Sequence, residues 1–280
     1  MKTEEIDLIG IDGEQLFGRC WLPEADVDPS IVICLIHGLY EHSGRYEAFS
    51  KFFTEFGIGV YSFDLRGHGL SPGKRGHIKN YSDYIDDVES LLKLARTEHN
   101  DSAIVLYGHS LGGNIVANYI LKNNMSELTA AVLSSPWLQL VFEPPKSKLK
   151  LARIMNRIYP GYAEKGMINP EDISKDEDIV NAYRSDALNQ WNISARLFLN
   201  ALEKGKWAEE NAYKLKIPTL VICGADDNIV LAEASRSFAE KSRGKAVHKQ
   251  YPGVRHEPHN DIERKEILND VLNWIQKQVK

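Results

Sequence analysis

A chain of 280 residues, 43% of them hydrophobic, can bury a large core, which weighs against disorder and allows one large domain or two smaller ones. A net charge of −5 speaks against nucleic acid as a main partner, and three scattered cysteines, Cys20, Cys34 and Cys223, match neither a disulfide framework nor a metal-ligand spacing. The opening stretch MKTEEIDLIGIDGEQ lacks an apolar core of signal-peptide length and no run is long enough to span a bilayer, so a reducing, cytoplasmic setting is expected.

In chain order, strands are predicted near 4–9, 16–22, 31–36, 58–63, 103–107, 130–134, 217–223 and 246–251. Helices fit near 45–56, 82–99, 111–123, 232–242 and 260–278, the last with Asn260 or Asp261 as its N-cap. The inner strands, IVICLI and IPTLVIC among them, are continuous apolar runs, as strands covered on both faces should be. The alternation implies an α/β fold: a mostly parallel eight-stranded sheet with helices on both faces. Between 137 and 213 no strand-like run occurs, only helical patterns and loops. That segment is expected to be a helical cap inserted into a core of residues 1–136 and 214–280.

The stretch Leu106-Tyr107-Gly108-His109-Ser110-Leu111-Gly112-Gly113-Asn114 places a serine in a G-x-S-x-G setting, after an apolar strand and before a helical pattern. Such a serine sits on a strained strand-to-helix turn, which is why small residues flank it, and the helix N-terminus behind it offers free N–H groups. The alternative is an ordinary glycine turn. A hydroxyl attacks only if a base takes its proton and an acid orients the base, and on this architecture the order is serine, acid, histidine. Two later loops supply the partners. GADDNIV (224–230) follows one strand and offers Asp226 and Asp227; PGVRHEPH (252–259) follows the next and offers His256 and His259. His256 lies nearer the strand end, whereas His259 adjoins the next helix and suits the surface or a cap contact. Of the two aspartates, the spare one is expected to bond backbone amides. The backbone N–H of Leu111 and that of Leu39, after His37-Gly38, are the candidate oxyanion donors. His37 and His248 read as structural. Asp64, Arg66 and His68 of DLRGHG precede Ser110 and read as a held turn.

Five segments together, HGLYEHSGRYEAFS (37–50), FDLRGHGLSPGKRGHI (63–78), GHSLGG (108–113), GADDNIV (224–230) and GVRHEPHND (253–261), resemble the monoacylglycerol lipase and lysophospholipase group of the α/β-hydrolases. The resemblance implies an α/β-hydrolase fold with a helical cap and a serine esterase that needs no cofactor or metal. It lands the acid on Asp227, the base on His256 and the oxyanion amides on Leu39 and Leu111. It also makes Glu41 and Arg45, with His109 beside the serine, candidates for substrate binding; solvated charges, with Ser43 starting a helix, are the other reading of that stretch. One departure is Leu39, where the group often has a small residue, so its side chain would narrow the entrance.

The expected reaction is hydrolysis of a single-chain lipid ester, monoacylglycerol first, to fatty acid and glycerol through an acyl-enzyme on Ser110. A lysophospholipase or short-chain carboxylesterase is the alternative. A peptidase or amidase is disfavoured because no acidic cluster marks an amine site, and a non-catalytic binding module because all three triad members are retained. No nucleic acid or obligate protein partner is implied. Trp137 and Trp191 read as core. Within the cap, Lys146, Lys148, Lys150, Arg153 and Arg157 occur without an acid from 146 to 157, and Leu151, Ile154, Met155 and Ile158 share another helical face. Such a helix suits either a lid with its apolar side on the pocket or peripheral contact with a lipid surface.

Overall fold

The computed structural model describes residues 1–24, 28–122, 128–166 and 168–279. Among the described residues ten strands and eight α-helices follow in order: β1 (Lys2–Ile9), β2 (Gln15–Leu22), β3 (Ile31–Ile36), α1 (Glu47–Thr54), β4 (Ile58–Phe63), α2 (Tyr81–Glu98), β5 (Ala103–His109), α3 (Leu111–Lys122), β6 (Ala130–Ser134), α4 (Lys146–Ile158), β7 (Ala163–Lys165), α5 (Glu177–Ser185), β8 (Asn192–Ser194), α6 (Ala195–Glu210), β9 (Thr219–Gly224), α7 (Ala232–Lys241), β10 (Ala246–Tyr251) and α8 (Arg264–Val279). Eight strands form one sheet in the order β1-β2-β4-β3-β5-β6-β9-β10. β1 and the β2–β4 pairing are antiparallel; every other pair is parallel.

The inner strands are predominantly apolar because both faces are covered: every residue of β3, β4 and β9 is buried, Ser62 and Thr219 included. On one face α2, α3, α6 and α7 pack through residues such as Tyr84, Ile115, Leu197 and Phe238; on the other α1 and α8 pack through Phe49, Phe53, Ile267 and Val271. Helix α2 starts at a capping box in which Asn80 and Asp83 satisfy each other's backbone groups. The fold is an α/β-hydrolase fold.

Several expectations are corrected. The segment between β6 and β9 holds the short antiparallel pair β7–β8 as well as helices, and three-residue strands such as AEK and NIS are too short to show a period. Helix α8 starts at Arg264, because Asn260 and Asp261 hold the preceding loop: Asn260 donates to Glu257 at 2.8 Å, and Asp261 accepts the N–H groups of Lys175 and Arg255 at 3.0 and 2.6 Å. Residue 123, the expected end of α3, lies outside the described residues. The first turn after the β3 loop is a 3₁₀ turn over Ser43–Tyr46, capped by His42 instead of Ser43, and α1 begins only at Glu47.

Candidate active site

Ser110 stands at the junction of β5 and α3 with φ of 53°, a left-handed conformation that a residue with a side chain adopts only when its surroundings impose it. The surroundings do so through backbone bonds. The Ser110 N–H donates to Ser134 O at 3.0 Å, and Ser110 O accepts the N–H groups of Asn114 and Trp137, both at 2.9 Å. Gly112 lets α3 start against the end of β3: a Cβ there would lie 2.1 Å from Ile36 O. Gly38 does the same for the loop after β3, since its Cβ would come within 3.1 Å of Ser110 Cβ.

The loops after β9 and β10 bring the two partners to the serine. Ser110 Oγ lies 3.0 Å from His256 Nε2, and His256 Nδ1 donates to Asp227 Oδ2 at 2.8 Å. Asp227 can only accept, so the proton sits on Nδ1 and Nε2 is left to accept from the serine. All three residues are buried. Burial alone would depress the His256 imidazole, but the Asp227 charge and hydrogen bond, with Glu257 and Glu41 behind them, hold its pKa above the ordinary value of 6.5. Among the described residues the N–H groups of Leu39 and Leu111 meet no acceptor.

Asp227 Oδ1 accepts the N–H groups of Ile229 and Val230 at 2.8 and 3.0 Å, so the aspartate that meets the histidine also bonds the loop amides. Asp226 bonds none; it is half exposed, 3.8 Å from Lys175. The expected division of labour between the two aspartates is thereby corrected. His259 is not on the surface: it is buried, stacked on Tyr46 at 4.8 Å, and burial pushes its pKa down to about 4. His109 is buried too, its ring 4.9 Å from both His256 and His259. Desolvation, reinforced by those two rings, holds it neutral.

Glu41 and Arg45 are neither solvated nor free to receive a head group. The Arg45 guanidinium donates to Glu41 at 2.5 Å and grips both oxygens of Glu257 at 2.7 and 2.8 Å, while Glu41 Oε1 accepts the Gly38 N–H at 2.6 Å and the Tyr46 hydroxyl at 2.8 Å. His109, Glu41 and Arg45 thus lie in the scaffold of the site. Glu257 belongs to this cluster and escaped the sequence reading; the signal available was an acidic residue directly after the candidate base. His37 uses both ring nitrogens on backbone, Nδ1 donating to Gly38 O at 2.7 Å and Nε2 accepting from Leu65 N at 2.8 Å. Asp64 holds its turn by accepting from Ser43 and Leu70, but Arg66 turns away to pair with Asp87 and Asp12.

The segment between β6 and β9 braces these loops. Val141 and Leu231 share backbone bonds with Ile229 and Gln139, and the N–H of Glu257 donates to Ile173 O at 2.8 Å. Trp137 is buried against Phe198, and Trp191 lies between Tyr40 and Tyr183. Among the described residues no group of three or more His, Cys, Asp or Glu side chains could hold a metal ion.

A family model described as serine aminopeptidase, S33, matches residues 27–263. A monoacylglycerol lipase of Mycolicibacterium smegmatis is 32% identical over 273 residues, covering 97% of this chain and 96% of the relative. An uncharacterized abhydrolase domain-containing protein of Dictyostelium discoideum is 31% identical over all of this chain, which spans only 30% of that relative's length. The crystal structure of the Paleococcus ferrophilus monoacylglycerol lipase superposes with a TM-score of 0.82 at 28% identity, over 99% of this chain and 100% of that one. A serine elbow, an acid loop and a histidine loop in hydrolase order on this sheet, matched over these lengths, make the chain a member of the α/β-hydrolase family described as serine aminopeptidase, S33, and similar throughout to monoacylglycerol lipases.

Proposed function

We propose that the chain is a serine carboxylester hydrolase that cleaves single-chain lipid esters, monoacylglycerol first among them, to free fatty acid and alcohol. The observation that carries this reading is the relay Ser110–His256–Asp227 at 3.0 and 2.8 Å, in a chain akin to a monoacylglycerol lipase over 97% of its length. Ser110 Oγ attacks the ester carbonyl as His256 Nε2 takes its proton. Asp227 fixes the tautomer and stabilises the imidazolium that forms. The N–H groups of Leu39 and Leu111 receive the oxyanion, and His256 then protonates the leaving alcohol. Water repeats the sequence on the acyl-enzyme.

The family description names an aminopeptidase, but binding a free α-amine calls for an unpaired carboxylate. Glu41 and Glu257, the buried carboxylates flanking the relay, are both paired to Arg45, which favours the ester reading. In the same reading residues 1–136 and 214–280 form the catalytic core and 137–213 the cap over it.

No helix among the described residues is long and apolar enough to cross a membrane. The cap offers a peripheral contact instead. Helix α4 buries no residue, and Leu151, Ile154 and Ile158 stay 53%, 44% and 76% exposed beside the basic side chains of Lys150, Arg153 and Arg157. An apolar stripe flanked by cations fits the surface of an anionic lipid layer. A panel of monoacylglycerols, lysophospholipids and p-nitrophenyl esters of graded chain length tests the substrate. Highest kcat/KM on monoacylglycerol supports the proposal; preference for a lysophospholipid, for short soluble esters or for an aminoacyl amide replaces it with that activity.

A further inference from the structure

We propose that Arg45 is a positioning residue that holds the loop bearing the Leu39 amide and the loop bearing His256 in one register over Ser110; the inference rests on the hydrolase reading above. The two loops come from opposite parts of the chain, after β3 and after β10, and each needs a placement accurate to a fraction of an ångström for the amide and the imidazole to serve one reacting carbonyl. Neither loop is bonded to the other through its backbone among the described residues. Side chains make the link instead.

From the first loop, Glu41 reaches back with Oε1 to the Gly38 N–H at 2.6 Å, the residue immediately before Leu39. From the second, Glu257 follows His256 directly, and its Oε2 also accepts from Asn260 at 2.8 Å. Between the two carboxylates lies one guanidinium. Its NH1 group bonds Glu41 Oε2 at 2.5 Å and Glu257 Oε1 at 2.7 Å, and its NH2 group bonds Glu257 Oε2 at 2.8 Å. The Arg45 side chain is only 8% exposed, and those of Glu41 and Glu257 2% and 3%. Its third contact is the Tyr183 ring of α5, 4.5 Å from the guanidinium carbon, so the clamp also touches the segment between β6 and β9.

The chemistry of the cluster demands arginine. Two buried carboxylates must share one cation, and only a planar fork can meet one of them bidentately while turning another N–H to the second. Lysine keeps the charge but loses the fork. Two carboxylates against one guanidinium also leave net negative charge behind His256, where Asp227 already lies, which favours the imidazolium formed as Ser110 attacks. Burial works against the charge on Glu257, yet Arg45 holds its carboxyl down at about 2, so it stays ionised throughout the working range.

A residue that only aligns the reacting groups changes the rate of acylation, not the affinity for substrate. The test is stopped-flow acylation of wild type, Arg45→Lys and Glu257→Gln with p-nitrophenyl butyrate, each protein checked by circular dichroism to be folded at the assay temperature. The expected result is an acylation rate about 10- to 100-fold lower in both variants, with the substrate concentration that half-saturates the acylation phase (the KM of that step) within about threefold of wild type. A raised KM at unchanged rate would make Arg45 a substrate contact and overturn the proposal. Wild-type kinetics in variants that merely melt at a lower temperature would reduce the cluster to a stabilising contact and overturn it equally. The wild type separates the two levels: if it hydrolyses no ester, the hydrolase reading falls and this inference with it, whereas an active wild type with unaffected variants refutes this inference alone.

Discussion

Replacing Asp227 by asparagine removes one charge and little volume, yet its consequence can be worked out from two hydrogen-bonding edges. Oδ1 faces the N–H groups of Ile229 and Val230 at 2.8 and 3.0 Å, and Oδ2 faces His256 Nδ1 at 2.8 Å. Asparagine has one oxygen to place. Turning its NH2 toward the two buried amides would leave both without an acceptor, at about 1–3 kcal/mol each. Its oxygen therefore stays with the amides and its NH2 faces His256. Nδ1 must then accept, the ring proton moves to Nε2, and Ser110 faces a donor where it needs a base. The scale of that loss is about ten-thousand-fold in kcat, or ~5 kcal/mol of barrier. Asp226→Asn should stay within about threefold of wild type, since among the described residues its one ion pair is a half-exposed contact 3.8 Å from Lys175. The assay is turnover of a short soluble p-nitrophenyl ester, normalised by active-site titration. A severe Asp226→Asn, or an Asp227→Asn that keeps more than about a tenth of wild-type turnover, would refute the tautomer argument.

Because His256 must be neutral to accept the serine proton and its pKa is held above 6.5, kcat/KM should fall as pH drops, with a midpoint above that value; a midpoint below it would contradict the site electrostatics. Gly112→Ala places a Cβ 2.1 Å from Ile36 O and should cost roughly 3 kcal/mol in urea unfolding, and unchanged stability would show that the elbow can relax. Reversing Lys150, Arg153 and Arg157 to glutamate should weaken binding to anionic vesicles by about 100-fold at low salt, at ~1 kcal/mol per basic residue, and leave turnover of a soluble ester unaltered. Equal vesicle binding by variant and wild type would leave α4 as a lid helix without a membrane role.

The inner sheet was legible because strands covered on both faces are predominantly apolar, as IVICLI is throughout and TLVICG is after Thr219. Ser110, Asp227 and His256 were legible because chemistry requires that order, with acid and base on loops that follow strands. The Arg45–Glu257 contact joins residues 212 positions apart, and nothing local distinguishes a buried, shared charge from a solvated one. The same blindness left His259 to the surface or a cap contact, although it is buried and stacked on Tyr46. Asn260 and Asp261 looked like N-caps because both types favour that position, but in the fold they hold the histidine loop and the helix waits for Arg264. The exposure of the apolar face of α4 could not be read from its pattern, which suits a pocket-facing lid equally well.

The central claim is that Ser110 is the nucleophile through which ester hydrolysis passes. Labelling with a fluorophosphonate, followed by mass-spectrometric mapping of the adduct and a parallel assay of residual monoacylglycerol hydrolysis, tests it most directly. The account predicts a single adduct on Ser110, loss of hydrolysis in proportion to labelling, and no adduct in Ser110→Ala, whose turnover should fall by about a million-fold. An adduct on another serine, or hydrolysis that continues with Ser110 blocked, would contradict it.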